Sequence, residues 1–253
     1  MLRIIFLLNC LLVSLTMFSQ KKPKPEDTEV WAPVPKIVEP GKDNCSPPSD
    51  AEVLFNGSNL DQWVSSNDTT APAKWKVVNG LMQVDKSTGD IQTKSSFTDF
   101  QLHLEWRVPE HITGKGQARG NSGVFLAAVN GGGYELQIMD SYNNATYVNG
   151  QAGSVYKQYI PLVNPMRPPG EWQVYDIIWT APRFNPDGTL RSPARITAIF
   201  NGVVIQNSVE LKGTTEYIGP PVYKAHGAAP IRLQSHGDPS EPLSFRNIWV
   251  RRM

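Results

Sequence analysis

Frequent Asn-Gly and Asp-Gly pairs restrict the fold of this sequence more than any other feature. They recur after residue 50, at Asn56-Gly57, Asn79-Gly80, Asn130-Gly131, Asn149-Gly150, Asp187-Gly188 and Asn201-Gly202. Such pairs supply the positive φ angles that tight β-hairpins require. Short alternating or apolar runs lie between them, and no long segment shows a helical period. The sequence therefore predicts an all-β fold, either an antiparallel sandwich or a barrel.

Composition divides the chain into three segments. Residues 1–20 have a basic start, an apolar run from Ile4 to Phe18 and a polar end, which predicts a secretory signal peptide and export to the periplasm or beyond. The alternative, a lipoprotein signal at Cys10, is disfavoured because Asn9 is bulky and the apolar run continues. Residues 21–50 read as a proline-rich linker, and residues 51–253 as one domain. We expect no transmembrane segment in the mature chain.

Several classes of partner and cofactor are disfavoured. The formal net charge is +1, and a nucleic-acid groove would need a clear basic excess. No His/Cys cluster has zinc spacing. Calcium could bind loop carboxylates such as Asp140 or Asp238, but no EF-hand-like spacing supports it. We therefore expect no required cofactor and no metal. Without the signal peptide, Cys45 is the only cysteine, so an intramolecular disulfide is excluded.

Three predicted strands carry polar side chains on one face. Side chains alternate between the two faces of a strand, which places Glu105 beside Arg107 in 100–108 and Glu135 beside Gln137 in 134–139. The third strand, 231–235, carries Arg232 and Gln234 on one face and leads to His236 in the same alternation. We expect these faces to form one concave surface. The alternative is that each is an ordinary solvated face of an antiparallel sheet.

Motifs in a fixed order resemble one known family. They are Leu54–Trp63, Glu105–Arg107, Asn121–Gly123, Tyr134–Asp140, Gly153–Tyr156, Leu233–Gly237 and Phe245–Ile248. In this order they resemble the 3-keto-disaccharide hydrolase family (DUF1080), and the resemblance covers essentially all of residues 51–253. It implies a concanavalin A-like jelly-roll sandwich, a glycan site on the concave face, secreted or periplasmic placement, and action on 3-keto-glucosides.

One departure from related enzymes bears on the mechanism. Retaining glucanases of the same fold place two acids four residues apart on one strand, whereas here Met139 stands four residues after Glu135. Retaining hydrolysis requires two carboxyl groups about 5 Å apart, so this strand lacks the pair. A ketone at C3 changes the requirement, because it acidifies the C2 proton and allows the aglycone to leave by elimination. One well-placed carboxyl group or histidine can then serve as the base.

The resulting hypothesis is an enzyme that cleaves 3-keto-glucosides, by hydrolysis or by elimination and rehydration. The candidate catalytic residues are Glu135, His236, Glu105 and Arg107. The candidate substrate contacts are Asn121, Gln137, Asp140, Tyr156, Gln234 and Arg246. Two alternatives remain open: a non-catalytic carbohydrate-binding module, and a docking domain of a cell-surface glycan complex. Convergence of Glu135 and His236 in one pocket would favour catalysis.

Overall fold

The computed structural model describes residues 22–253, so the predicted signal peptide lies outside the described residues. Along the chain, the boundary between two compact units falls between Ile37 and Val38. The described part of the first holds one short 3-10 helix, Pro25–Thr28. The second unit begins at Val38. Residues 38–50 are tied to the sandwich, since the Trp249 indole donates a 2.8 Å hydrogen bond to the Cys45 carbonyl.

The second unit is built from short strands. In chain order, β1 to β15 are Glu52–Phe55, Trp63–Ser65, Lys76–Val78, Leu81–Gln83, Ile91–Thr93, Phe100–Arg107, Ser122–Val129, Gly132–Ile138, Gln173–Thr180, Arg183–Phe184, Leu190–Ser192, Arg195–Phe200, Val203–Glu210, Arg232–Leu233 and Ser244–Arg252. Two further 3-10 helices, Gly116–Ala118 and Val148–Gly150, lie in the connections. No helix within residues 22–253 is long and apolar enough to cross a membrane.

The strands form two large antiparallel sheets. The eight-stranded sheet has the order β13-β12-β9-β6-β15-β4-β3, and β1 also pairs with β15. The five-stranded sheet has the order β2-β5-β14-β7-β8, while β10 and β11 form a separate hairpin. The prediction of an all-β antiparallel two-sheet sandwich of the jelly-roll type is thereby confirmed.

The core between the sheets fixes the position of β8. Tyr134 of β8 packs against Trp179 of β9, with ring centroids 5.2 Å apart. The buried Tyr175 hydroxyl, also on β9, donates a 2.8 Å hydrogen bond to the Gln137 carbonyl. Leu136 and Ile138 are fully buried in the same core. Because side chains alternate along a strand, Glu135 and Gln137 must point to the outer face of the five-stranded sheet.

Three of the Asn-Gly pairs form tight turns as predicted. Both residues have positive φ in Asn79-Gly80, Asn130-Gly131 and Asn201-Gly202. At Asn130-Gly131, φ is 52° and 75°, and this turn joins β7 to β8. The resulting register sets Phe125 opposite Glu135 and Gly123 opposite Gln137.

Candidate active site

The predicted polar faces lie on two different sheets. Glu105 and Arg107 belong to β6 in the eight-stranded sheet, whereas Glu135 belongs to β8 in the five-stranded sheet. Both strands turn their alternate apolar side chains into the same core, so their polar side chains lie on opposite outer faces of the sandwich. The expectation that Glu105 and Arg107 share a surface with Glu135 is therefore wrong. Alternation shows which residues share a strand face, but not which sheet contains the strand.

Glu105 is held by hydrogen-bond donors on its own sheet. Its carboxylate contacts Arg246 Nε at 2.6 Å and accepts a 2.8 Å hydrogen bond from Asn247 Nδ2. Burial raises the pKa of Glu105, but hydrogen bonds from His103, Asn247 and Arg246 outweigh it and lower the pKa to about 2. The Arg107 and Arg246 guanidinium groups lie 4.6 and 4.1 Å from the Trp172 ring centre. The contacts of Glu105 with Arg246 and Asn247 thus link β6 to β15.

A cavity of about 930 Å³ lies on the outer face of the five-stranded sheet. It brings together the predicted site residues Asn121, Glu135, Gln137, Tyr156, Gln234 and His236. Glu105, Arg107, Asp140 and Arg246 are not among the residues that line it. The Asp140 carboxylate is fully buried and lies 2.6 Å from Arg119 Nε, so it cannot contact a sugar as expected. We call this cavity the cleft.

Glu135 occupies the floor of the cleft. Cross-strand pairing aligns Arg232 with Phe125 and Phe125 with Glu135. Gly123 supplies the space for the carboxyl group, because a Cβ atom at Gly123 would lie 2.4 Å from Glu135 Oε1. No hydrogen bond to the Glu135 carboxyl group is present within residues 22–253.

The environment of Glu135 favours its neutral form. Burial raises its pKa to about 8; the positive charge of Arg232 opposes this shift, and the negative charge of Asp90 adds to it. Arg232 is itself engaged elsewhere, since its guanidinium lies 4.0 Å from the Phe125 ring centre and donates to the Gly131 carbonyl at 3.1 Å. Glu135 therefore carries a proton near neutral pH, as a general acid must.

His236 is held at the side of the cleft by Asp238. Its Nδ1 lies 3.1 Å from Asp238 Oδ2, and the Asp238 backbone N–H points at the same Nδ1 from 3.2 Å. Burial raises the pKa of Asp238, but hydrogen bonds from His236, Ser240 and Lys86 outweigh it and lower the pKa to about 2. Nδ1 cannot accept from the Asp238 backbone amide and also donate to the carboxylate. The hydrogen bond to the ionised carboxylate is the stronger of the two, because one partner is charged, so the proton is favoured on Nδ1 and Nε2 is left as a base.

Tyrosines form a wall beyond the edge strand β8. The Tyr147 and Tyr156 hydroxyls lie 2.6 Å apart, and Lys157 Nζ lies 4.2 Å from the Tyr217 ring centre. Lys157 also donates a 2.6 Å hydrogen bond to the Tyr217 carbonyl, which ties the two loops together. Tyr217 is 72% exposed. This tyrosine wall gives the cleft a ring-lined side opposite Asp90 and His236.

Sequence reasoning missed several residues that line the cleft. They are Asp90, Gln117, Tyr147, Lys157 and Tyr217. The pairing of Asp238 with His236 was also missed. Most stand in loops without any period, where alternation gives no signal. Alternation did place Arg232 on the face of Gln234 and His236, and Arg232 lines the cleft.

A group of possible metal ligands lies on the other sheet. Ligand atoms of Cys45, His103 and Glu105 lie within 4.8 Å of one another. Asn247 Nδ2 already donates to Glu105 Oε1 at 2.8 Å and lies 3.3 Å from His103 Nε2. The group is therefore explained by hydrogen bonding. The two carboxylates suggested for calcium, Asp140 and Asp238, are paired with Arg119 and Lys86.

The fold and the cleft define the class of protein: an antiparallel β-sandwich with a protonated carboxyl group buried in a cleft on one sheet. Residues 50–251 match the family described as the 3-keto-alpha-glucoside-1,2-lyase-like domain, and the chain belongs to this family. The resemblance seen in the sequence motifs is thus confirmed.

Known proteins similar to this chain point the same way. It is 24% identical over 163 residues to a 3-keto-disaccharide hydrolase of Bacteroides thetaiotaomicron, a match that spans 51% of the chain and 53% of that protein. The match thus spans about half the length of this curated relative. A crystal structure of a candidate glycosyl hydrolase from Parabacteroides distasonis is 56% identical, with a TM-score of 0.85, covering 91% of this chain and 97% of that one. A second structure from that organism, 19% identical with a TM-score of 0.60 over 80% of this chain and 94% of that one, supports the fold alone.

Proposed function

We propose that the protein cleaves 3-keto-glucosides in the cleft, with Glu135 as the general acid. One observation carries this proposal: Glu135 is buried in the cleft with its pKa raised to about 8. A carboxylic acid that keeps its proton at neutral pH can donate it to a leaving oxygen. The family description and the name of the Bacteroides relative support the substrate class.

The reaction is an elimination followed by hydration. His236 Nε2 removes the C2 proton, and the electrons of that C–H bond form a C1=C2 double bond conjugated with the C3 ketone. The C1–O bond breaks, and the departing oxygen takes the proton of Glu135. Water then adds its oxygen to C1 and a proton returns to C2, so the net result is hydrolysis without oxidation or reduction.

The two ionisable groups are suited to these opposite roles. Ionised Asp238 orients His236 as the base, while burial keeps Glu135 protonated as the acid. One carboxyl group suffices, which agrees with the absence of an acid at Met139. General acid or base catalysis by one residue typically contributes about 10²–10⁴-fold.

The test compares Glu135→Gln with Glu105→Gln on a 3-keto-disaccharide. We expect Glu135→Gln to lower kcat by about 10²–10⁴-fold. Glu105→Gln is the matched control, because it makes the same change on the opposite face of the sandwich and should retain turnover. A 3-keto-glucoside with a p-nitrophenoxy group should restore much of the lost rate, since this leaving group needs no acid.

Isotope and pH measurements complete the test. In heavy water the elimination route places deuterium at C2 of the product, and plain hydrolysis does not. The wild-type kcat/KM should fall as pH rises through about 8, where Glu135 loses its proton. Full activity of Glu135→Gln, or turnover of the unoxidised disaccharide at the same rate, would overturn the proposal.

A further inference from the structure

A chain of amide hydrogen bonds leads from a backbone carbonyl to the cleft floor. Asn121 Nδ2 donates to the Gln117 carbonyl at 2.8 Å. A carbonyl oxygen can only accept, so the Asn121 NH₂ group is fixed on that side. Asn121 Oδ1 is thereby turned toward Gln137, whose Nε2 donates to it at 2.8 Å. The Gln137 amide consequently has one orientation, with Oε1 on the side away from Asn121.

That remaining oxygen has no visible partner. Gln137 Oε1 is buried without a hydrogen bond within residues 22–253, and so is Gln234 Oε1. A buried acceptor without a donor is destabilising, so two of them in one cleft require an explanation.

Both glutamines flank Gly123. On one side, Gln137 of β8 is the cross-strand partner of Gly123. On the other side, the backbone N–H of Gln234 donates to the Gly123 carbonyl at 3.0 Å. The Glu135 carboxyl group leans over Gly123, with Oε1 2.4 Å from the position of a Cβ atom there. The carboxyl group therefore lies over Gly123, the residue that separates the two glutamines.

The protonation state of Glu135 decides whether these oxygens are satisfied. A carboxylate is only an acceptor and would face two further acceptors, whereas a carboxylic acid has one O–H donor. The neutral acid can therefore donate to one of the two oxygens. Gln137 is on the same face of β8 as Glu135, which makes Gln137 Oε1 that acceptor.

We propose that Asn121 is a positioning residue that fixes the Gln137 amide with its oxygen toward Glu135, so that the Glu135 carboxyl group keeps its proton and donates it to Gln137 Oε1 until substrate arrives. The proposal deepens the proposed function and rests on it only for the use of that proton. Gln137 is then the acceptor that holds the acid ready, not primarily a sugar contact.

Other charged groups face Glu135 and modulate the same equilibrium. Arg232 on β14 favours the carboxylate, while Asp90, which precedes β5, favours the acid. Tyr156 stands next to Glu135 beyond the edge of β8, and burial raises its pKa, so it stays neutral. Lys157, Glu216 and His236 line the cleft farther out. None of them fixes the orientation of the Gln137 side-chain amide. A change at Asn121 therefore isolates the effect of that orientation on the Glu135 pKa.

The test is a titration of the Glu135 carboxyl group by carbon-13 NMR in the full chain. In Asn121→Leu the Gln137 amide can turn its NH₂ toward Glu135, which favours the carboxylate, so the midpoint should fall by at least about one pH unit. In Asn121→Asp the new carboxylate still accepts from Gln137 Nε2 and adds negative charge, so the midpoint should stay or rise. Tyr147→Phe, in the same cleft but outside the amide chain, should leave it unchanged.

A midpoint that falls in Asn121→Leu but does not fall in Asn121→Asp separates positioning from a loss of packing, which would move both alike. Asn121→Ala replaces Asn121→Leu if the latter does not fold. A wild-type midpoint in the Leu or Ala variant, or shifts of the same sign in the Leu and Asp variants, would overturn the proposal. The titration involves no turnover, so it holds or fails independently of whether 3-keto-glucosides are cleaved.

Discussion

Glu105 and Glu135 occupy equivalent positions in alternating strands, yet their surroundings give them opposite properties. Glu105 contacts Arg246 and Asn247, and its pKa falls to about 2. Glu135 lies over Gly123 without a donor within residues 22–253, and its pKa rises to about 8. Both are buried. The supply of hydrogen-bond donors therefore separates the structural carboxylate Glu105 from Glu135, the proposed acid.

The largest expected effect is on the pH dependence of stability, which runs in opposite directions at the two sites. The folded protein holds the Glu135 proton more tightly than the unfolded chain does. Its contribution to stability is complete below about pH 4.5 and is lost as pH rises through about 8. Glu105 contributes above about pH 4.5, and its contribution is lost as pH falls through about 2.

Urea unfolding of the two Gln variants at pH 3, 5, 7 and 9 measures this difference. Between pH 5 and pH 9, Glu135→Gln should gain stability relative to wild type by up to ~4 kcal/mol. Glu105→Gln should be less stable by about 1–3 kcal/mol at pH 7, since it leaves Arg246 without its anion, and the deficit should shrink toward pH 3. Parallel pH profiles for the two variants would contradict the comparison.

A second prediction addresses the space that holds Glu135. Gly123→Ala should displace the carboxyl group, because the added methyl would lie 2.4 Å from Oε1. We expect a loss of about 1–3 kcal/mol in stability from overpacking, together with a large fall in kcat. Gly237→Ala is the matched control: Gly237 also lines the cleft, has no atom within 4 Å of its Cβ position and should change neither quantity. Equal activity of the two variants would show that Gly123 does not position the acid.

The sequence predicts much of the fold and part of the site. The Asn130-Gly131 turn and the apolar alternation around Leu136 are enough to predict β7 and β8 and their antiparallel pairing. They cannot show that β6 and β8 belong to different sheets, because sheet order follows from long-range packing between distant segments. The same limit explains why Glu105 was grouped with Glu135, and why Asp90 and Tyr217, in segments without a period, were not found.

The smallest expected effect concerns aromatic side chains on the two faces. Trp172 is covered by Arg107 and Arg246, whereas Tyr217 is 72% exposed at the mouth of the cleft with Lys157 near its ring. A leaving sugar must pass through such a mouth, and an exposed ring offers it a stacking surface. We expect Tyr217→Ala to raise KM for a 3-keto-disaccharide about 3–10-fold, a loss of roughly 1 kcal/mol, with little change in kcat. Trp172→Ala, measured by the same steady-state kinetics, should leave KM unchanged although it costs more stability. An equal rise in KM in both variants would mean that Tyr217 acts through the fold, and the distinction between a binding face and a structural face would fail at this residue.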